Sequence, residues 1–127
     1  MKVPPPRILP CGDRAILLDC DSLAEATAWF EALIDADPVL GARTVLLRGD
    51  PGALRALLAT RHPSASAAGA EHETLVIPVT YDGPDLEAVA RLTGLSEQDV
   101  VHAHTGTEWT VGFAGFAPGF AYLVGGP

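Results

Sequence analysis

The order of short β-type segments and helices before residue 82 is what most limits how this 127-residue chain can fold. Two extended segments, ILPC and AILLDC, flank Gly12-Asp13, where glycine tolerates the positive φ of a tight turn. A helix pattern, the β-type run TVLLRG, a second helix pattern and the β-type run TLVIPVTY follow in that order. This order predicts an open sheet with its helices on one face, an α+β two-layer domain over residues 1–82.

Capping residues define both helices of this predicted domain. The first begins after Asp21 or Ser22, either of which can cap it, and ends at Asp37-Pro38. Its apolar residues recur at helical spacing: Leu23, Ala26, Phe30, Leu33 and Ile34. The second begins at Asp50-Pro51, because proline suits the first helical position, and runs to about Thr60.

The second part of the chain has a different pattern. Residues 63–73, rich in Ser, Ala and Gly, predict a mobile surface connection. PDLEAVARLTG (residues 84–94) then predicts a helix that glycine stops. We expect four of its residues to face inward: Leu86, Val89, Ala90 and Leu92. Ser96, with Asp99 three residues later, predicts the cap of another helix that ends near Thr105.

Composition and charge exclude several classes of function. A formal charge of −8 disfavours binding to a phosphate backbone, which relies on clustered Lys and Arg. No apolar run approaches the roughly 20 residues that cross a bilayer, and MKVPPPRILP lacks the apolar core of a secretory signal. We therefore expect a cytoplasmic protein with no nucleic-acid or membrane partner, in which Cys11 and Cys20 are free thiols.

The histidines are the main candidates for chemistry, because the sequence carries none of the common catalytic motifs. It has no GxSxG elbow, no GxxxxGK[ST] phosphate loop and no HExxH zinc motif. His102 and His104 stand two residues apart on a predicted helix and so face different directions, which argues against a shared metal ion. Each can still transfer a proton near neutral pH, or be an ordinary solvated residue.

The most unusual segment is GFAPGF (residues 115–120), with Tyr122 close behind it. Two phenylalanines on a frame of glycine and proline are typical of two kinds of structure. One is a barrel turn that packs aromatic side chains, and the other is the rim of a binding pocket. The residues alone leave both interpretations open.

Three segments together resemble a known family: GDRAILLD, IPVTYDGPDLEAVARLTGLSEQDVVHAHT and TVGFAGFAPGFAYLVGGP. The chain is similar to subunit 1 of allophanate hydrolase, also called the B subunit of bacterial 5-oxoprolinase. The family includes an inhibitor of a sporulation histidine kinase and corresponds to subdomains C and D of the carboxyltransferase part of urea carboxylase-type enzymes. The resemblance implies a small α+β domain (residues 1–82) and the first part of a cyclophilin-like β-barrel domain (residues 83–127). We expect that barrel to be incomplete here, because family members continue past this point.

The resemblance also implies a function. The chain would belong to a subunit, inactive alone, of an ATP-dependent 5-oxoprolinase that converts 5-oxoproline to L-glutamate, or of an allophanate-hydrolase-type complex. ATP, with Mg²⁺, would be bound by the complex, and none is expected for this chain by itself. The partners would be a second carboxyltransferase-like protein (the C subunit, or subunit 2) and a separate barrel protein (the A subunit). The alternative is a non-catalytic binding module that inhibits a sensor histidine kinase.

Candidate site residues follow from the positions that match the family's motifs. The resemblance assigns His104 and Thr105 as catalytic polar groups near substrate or near a contact between subunits. It assigns the wall of the substrate pocket to six residues: Gly115, Phe116, Pro118, Gly119, Phe120 and Tyr122. It assigns no metal ligand.

Overall fold

The computed structural model describes residues 2–64 and 73–127. Within them the strands are β1 (Arg7–Pro10), β2 (Ala15–Asp19), β3 (Val39–Leu40), β4 (Thr44–Arg48), β5 (Thr110–Ala114) and β6 (Ala121–Val124). The helices are α1 (Leu23–Ala32), α2 (Pro51–Ala59), α3 (Leu86–Thr93) and α4 (Glu97–Thr105), with one 3₁₀ turn at Ile34–Ala36. This mixture of helices and antiparallel strands confirms the predicted α+β class.

The chain divides into two compact units. The first is Met1–Ala68 together with Gly112–Tyr122, and the second is Gly69–Val111 together with Leu123–Pro127. The assignment of residues 1–82 and 83–127 to two domains, and the barrel nature of the second, stay predictions. The predicted surface connection at residues 63–73 falls mostly outside the described residues.

A four-stranded antiparallel sheet in the order β1-β2-β4-β3 forms the frame of the first unit. Its central pairing brings Ile16 opposite Leu47 and Leu18 opposite Val45, so the four side chains share one face. All four are fully buried and form one core cluster with apolar residues of α1 and α2. The two helices therefore cover one face of the sheet, as the order of elements predicts.

Side-chain caps begin both helices of this unit where the sequence predicts them. The Ser22 hydroxyl accepts the Glu25 amide at the start of α1, and Asp50 accepts the Ala53 amide at the start of α2. Each cap satisfies an amide that has no partner within the helix. Helix α1 ends before the predicted Asp37-Pro38, because the chain tightens into the 3₁₀ turn and Asp37 takes a left-handed conformation with φ of 49°.

Helices α3 and α4 pack together in the second unit. Gly94 ends α3 in the left-handed conformation with φ of 73°, which glycine adopts without a steric penalty. Of the four residues expected to face inward, only Ala90 is buried, and Leu92 is 84% exposed. Leu92 stands six positions after Leu86, which is one and two-thirds turns. It therefore does not lie on the face of α3 that carries Leu86 and Ala90. The prediction for Leu92 is wrong.

The prediction that TLVIPVTY forms a strand is also wrong. Residues 73–83 have no regular secondary structure, and residues 73–80 are all exposed. Four large apolar side chains lie on this segment, at Leu75, Val76, Ile77 and Val79. A β-type composition needs a partner strand to become a strand, and Pro78 has no amide to donate to one. No strand in the described part of the chain pairs with this segment.

The strands β5 and β6 form a separate two-stranded sheet, joined by the GFAPGF segment. The described residues contain no helix that is both long enough and apolar enough to span a membrane.

Candidate functional site

A cavity of about 310 Å³ lies in the second unit, near the lower end of the roughly 300–1,000 Å³ typical of small-molecule sites. Its apolar lining comes from the helices α3 and α4, and its polar lining from the segment before α3 and from His104 on α4. The lining residues are Thr80, Tyr81, Gly83, Asp85, Leu86, Val89, Val100 and His104. The only ring nitrogens among these belong to His104. The cavity is thus an open, mostly apolar depression with a few polar groups, and five of its eight lining residues are exposed.

Helix α4 brings His104 to this cavity. The Ser96 hydroxyl accepts the Asp99 amide at 3.1 Å and donates to the Asp99 carboxylate at 2.6 Å. These hydrogen bonds hold the pKa of Asp99 below its usual value, with the hydroxyl contact the larger cause. The ionised carboxylate is favourable in the first turn, since the amino end of a helix carries partial positive charge. The cap fixes where α4 starts, and so the turn on which His104 lies.

Two aromatic side chains hold the His104 ring. The Tyr81 hydroxyl lies 2.5 Å from His104 Nδ1, and the two rings meet edge to face at 5.8 Å between centroids. The Trp109 ring lies 5.1 Å from the His104 ring, and Trp109 Nε1 donates to the His104 carbonyl at 2.9 Å. A Cβ atom at Gly126 would come within 2.2 Å of the Trp109 ring, so only glycine allows this close approach. The imidazole is therefore held by contacts with the side chains of two residues outside α4.

The neighbouring Thr105 has a different environment. Its hydroxyl donates to the Val101 carbonyl at 2.8 Å, one turn back along α4, and its side chain is not part of the cavity lining. This is the usual local hydrogen bond of a threonine in a helix. The structure thus places His104 in the cavity lining and Thr105 outside it, although both residues are exposed, and a catalytic role for either one stays a prediction.

The GFAPGF segment and its neighbours form an aromatic cluster. Phe113 stacks on Tyr122 at 4.5 Å between centroids, Phe120 meets Tyr122 at 5.2 Å, and Phe116 meets Phe120 at 5.3 Å. The Gly115 amide donates to the Phe120 carbonyl across the turn. These residues belong to the first unit, and the cavity near His104 belongs to the second.

Two residues of this turn, one small and one large, have a positive φ. Gly119 has φ of 76°, in the region that glycine adopts without strain. Phe116 has φ of 62°, which costs a residue with a large side chain some backbone energy, and its side chain is exposed. Packing of aromatic side chains in a turn is therefore observed, and a substrate-binding role for Gly115, Phe116, Pro118, Gly119, Phe120 and Tyr122 stays a prediction.

A second cavity, of about 340 Å³, lies in the first unit and is mostly polar. Arg7 and Asp19, which pair across β1 and β2, form an ion pair on its wall. Cys20 also lines it, and burial, followed by the charges of Glu25, Asp19 and Asp21, raises the pKa of this thiol to about 11. A thiol that stays protonated at neutral pH is a poor nucleophile, so Cys20 does not make this cavity a catalytic site.

Metal binding has no support in the described ranges. Residues 2–64 and 73–127 contain no group of three or more His, Cys, Asp or Glu side chains placed to hold an ion. His102 and His104 belong to α4 with one residue between them, and only His104 lines the cavity.

Sequence reasoning missed the two aromatic residues that hold His104. Tyr81 stands 23 residues before His104 in a segment that predicts a strand, and Trp109 begins the glycine-rich end of the chain. A signal was present, because YDGP places a phenol just before the turn that leads into α3. Nothing in the sequence indicates which later residue that phenol contacts.

Comparison with known proteins gives matches to named relatives. The sequence matches the family described as carboxyltransferase domain, subdomain C and D, over residues 6–127. The B subunit of 5-oxoprolinase from Escherichia coli O157:H7 is 38% identical over 107 residues, which are 80% of this chain and 49% of that protein. The B subunit of 5-oxoprolinase from Bacillus subtilis (strain 168) is 50% identical over 52 residues, which are 39% of this chain and 22% of that protein.

Among solved structures, a conserved uncharacterized protein from Pyrococcus horikoshii is 31% identical, with a TM-score of 0.41, covering 95% of this chain and 65% of that one. The chain spans about half the length of the Escherichia coli relative. The family match begins at residue 6 and continues to residue 127, which is nearly all of the chain. This chain therefore belongs to the family of carboxyltransferase subdomains C and D.

Proposed function

We propose that this chain is part of a subunit of a cytoplasmic 5-oxoprolinase complex, which opens the lactam ring of 5-oxoproline to L-glutamate with hydrolysis of ATP. The observation that carries the proposal is the 38% identity, over 80% of the chain, to the B subunit of the Escherichia coli 5-oxoprolinase. Its partners would be a second carboxyltransferase-like protein, the C subunit, together with a separate barrel protein, the A subunit. The chain alone would be inactive.

The cavity of the second unit is where this chain would contribute to the site. A volume of about 310 Å³ suits a small cyclic amide better than a large substrate. Leu86, Val89 and Val100 offer apolar surface to the ring methylenes, and His104 offers a ring nitrogen to a polar group of the amide. We therefore assign His104 a direct role at the substrate.

ATP does not fit the donor set of this cavity. Lys and Arg side chains and backbone amides are the usual partners of a triphosphate, and the lining contains no Lys or Arg. It does contain Asp85, whose charge would repel phosphate. We accordingly propose that ATP and its Mg²⁺ bind elsewhere in the complex, and we derive no step for them here.

The experiment is co-expression of the gene that encodes this chain with genes for the two proposed partner subunits, followed by purification through a tag on this subunit. Glutamate formation and ATP hydrolysis would be measured with 5-oxoproline, and with allophanate as the competing substrate. We expect both activities with 5-oxoproline and neither with allophanate, and a fall in kcat/KM of about 10²-fold for His104→Ala, the cost of losing one preorganised hydrogen-bond donor. The fall would reflect loss of the only ring nitrogens among the lining residues.

His102→Ala is the matched control, because His102 is an exposed histidine on the same helix that does not line the cavity. It should keep wild-type kcat/KM. A complex that cleaves allophanate instead would contradict the 5-oxoprolinase proposal. A protein that captures neither partner and gives no turnover would contradict any catalytic role and favour the kinase-inhibiting binding module.

A further inference from the structure

The contact between Tyr81 and His104 indicates which nitrogen of the imidazole is available to a ligand. A neutral imidazole has one nitrogen that donates and one that accepts, and the partner of one nitrogen fixes the role of the other. Here the partner of Nδ1 is the Tyr81 hydroxyl at 2.5 Å. Among the described residues, the imidazole has no other hydrogen-bond partner. Nε2 is therefore the ring nitrogen left for a ligand.

The chemistry of the two groups indicates which one donates. A phenol O–H is a good donor, while the phenol oxygen is a poor acceptor because its lone pair is delocalised into the ring. An unprotonated imidazole nitrogen is a good acceptor. The Tyr81 hydroxyl makes no other hydrogen bond among the described residues, and at 2.5 Å from Nδ1 its geometry fits donation to that nitrogen.

We propose that Tyr81 holds His104 in the tautomer with its proton on Nε2, so that His104 donates a hydrogen bond to the carbonyl oxygen of an amide substrate and does not act as a general base. This inference rests on the proposed function for the identity of the amide. His104 is then a catalytic residue that polarises the carbonyl, and Tyr81 is a positioning residue that acts through it.

The surroundings of the ring fit a fixed donor. Tyr81 meets the ring edge to face, and Trp109 lies against it at 5.1 Å and also bonds its backbone carbonyl. These contacts limit rotation of the imidazole before a substrate arrives. Leu86, Val89 and Val100 are apolar residues of the same lining, but His104 and Val89 are exposed to solvent, so a preorganised donor gains its larger effect only once a bound ligand displaces water. Asp85 is the charged side chain in the same lining.

The first test reads the tautomer directly and requires no activity. The chain would be labelled with ¹⁵N-histidine, and long-range ¹H–¹⁵N spectra recorded at neutral pH, with the His104 signals identified by their loss in His104→Gln. We expect Nε2 to have the shift of a protonated nitrogen and Nδ1 that of an acceptor. Tyr81→Phe should let the two tautomers exchange and bring the two shifts closer together. The His102 signals should not move.

A protonated Nδ1 in the wild-type chain would overturn the proposal. So would a Tyr81→Phe spectrum with the wild-type separation of shifts, because the hydroxyl would then have no influence on the tautomer. Neither result depends on turnover, so each can be told apart from failure of the 5-oxoprolinase assignment, which would show as a wild-type complex that forms no glutamate.

The second test uses the assembled complex and separates a donor from a base. A glutamine side chain can donate a hydrogen bond but does not take up a proton at neutral pH. We expect the kcat/KM of His104→Gln to be at least tenfold higher than that of His104→Ala. We expect Tyr81→Phe to lower kcat/KM about fivefold, which corresponds to the loss of one ordinary hydrogen bond. Equal loss in the Gln and Ala variants would overturn the donor role while leaving the proposed reaction in place.

Discussion

Cys20 directly follows β2 and lies buried in the core cluster of the first unit, while Cys11 is exposed. Burial raises the pKa of the Cys20 thiol to about 11, and the charges of Glu25, Asp19 and Asp21 act in the same direction. Because alkylation requires the thiolate, iodoacetamide at neutral pH should label Cys11 and leave Cys20 unmodified in the native chain. Peptide mass mapping would check this, and rapid labelling of Cys20 in native conditions would contradict it.

The same thiol should make stability depend on alkaline pH. Its folded-state pKa of about 11 lies above the ordinary value of 9.0, so between these pH values the folded chain binds more protons than the unfolded chain. The contribution of Cys20 to stability is therefore complete below about pH 9 and is lost as pH rises toward 11. Urea unfolding across this window should show a steeper decline for the wild type than for Cys20→Ala, which lacks the titrating group.

At the scale of single residues, the sequence could predict His104 as a candidate but not what holds it. Its position follows from a local cap at Ser96 and from helix geometry, and both can be predicted from residues that are close in sequence. Its contacts with Tyr81 and Trp109 depend on the path of an irregular segment and on the turn after α4. Those paths are set by packing between residues far apart in sequence, which a single sequence does not specify.

At the scale of elements, the alternation of buried and partly exposed leucines along β4 gives a paired test of the core. Leu47 is fully buried opposite Ile16, whereas Leu46 lies on the other face of the sheet and is half-buried. Leu47→Ala should lower the free energy of unfolding by about 2–5 kcal/mol, since it removes apolar burial and leaves a cavity. Urea titration would measure the change.

Leu46→Ala is the matched control for this substitution, because it removes the same atoms from the adjacent position of the same strand. It should cost less than half as much. Equal losses for the two variants would mean that both faces of the sheet are equally buried, contrary to the one-sided core.

Elements fixed by local chemistry were the ones that the sequence predicted well. The turn at Gly12-Asp13, the caps at Ser22 and Asp50 and the glycine stop at Gly94 each involve residues within a few positions of one another. The two-residue strand β3 was not predicted, because its existence depends on pairing with β4. TLVIPVTY fails as a strand for the corresponding reason: its composition suits a sheet, but the described chain supplies it no partner.

At the scale of the whole molecule, the chain combines a formal charge of −8 with a run of exposed apolar side chains at residues 75–79. Val76 is 84% exposed and has apolar neighbours on both sides in sequence. Leu92 is also 84% exposed but stands on α3 between Arg91 and Thr93. The two residues therefore have equal exposure in different settings, and contiguous apolar surface is what favours association in water.

Val76→Lys should therefore reduce association of the chain more than Leu92→Lys does, although each substitution adds one positive charge. The new ammonium interrupts the apolar run at residues 75–79, while at position 92 it replaces an isolated leucine. Light scattering at rising protein concentration, together with the emission of the apolar dye ANS, would measure the difference. If both variants lowered scattering and dye emission equally, removal of any exposed apolar side chain would have the same effect, and the apolar run at residues 75–79 would have no special part in association.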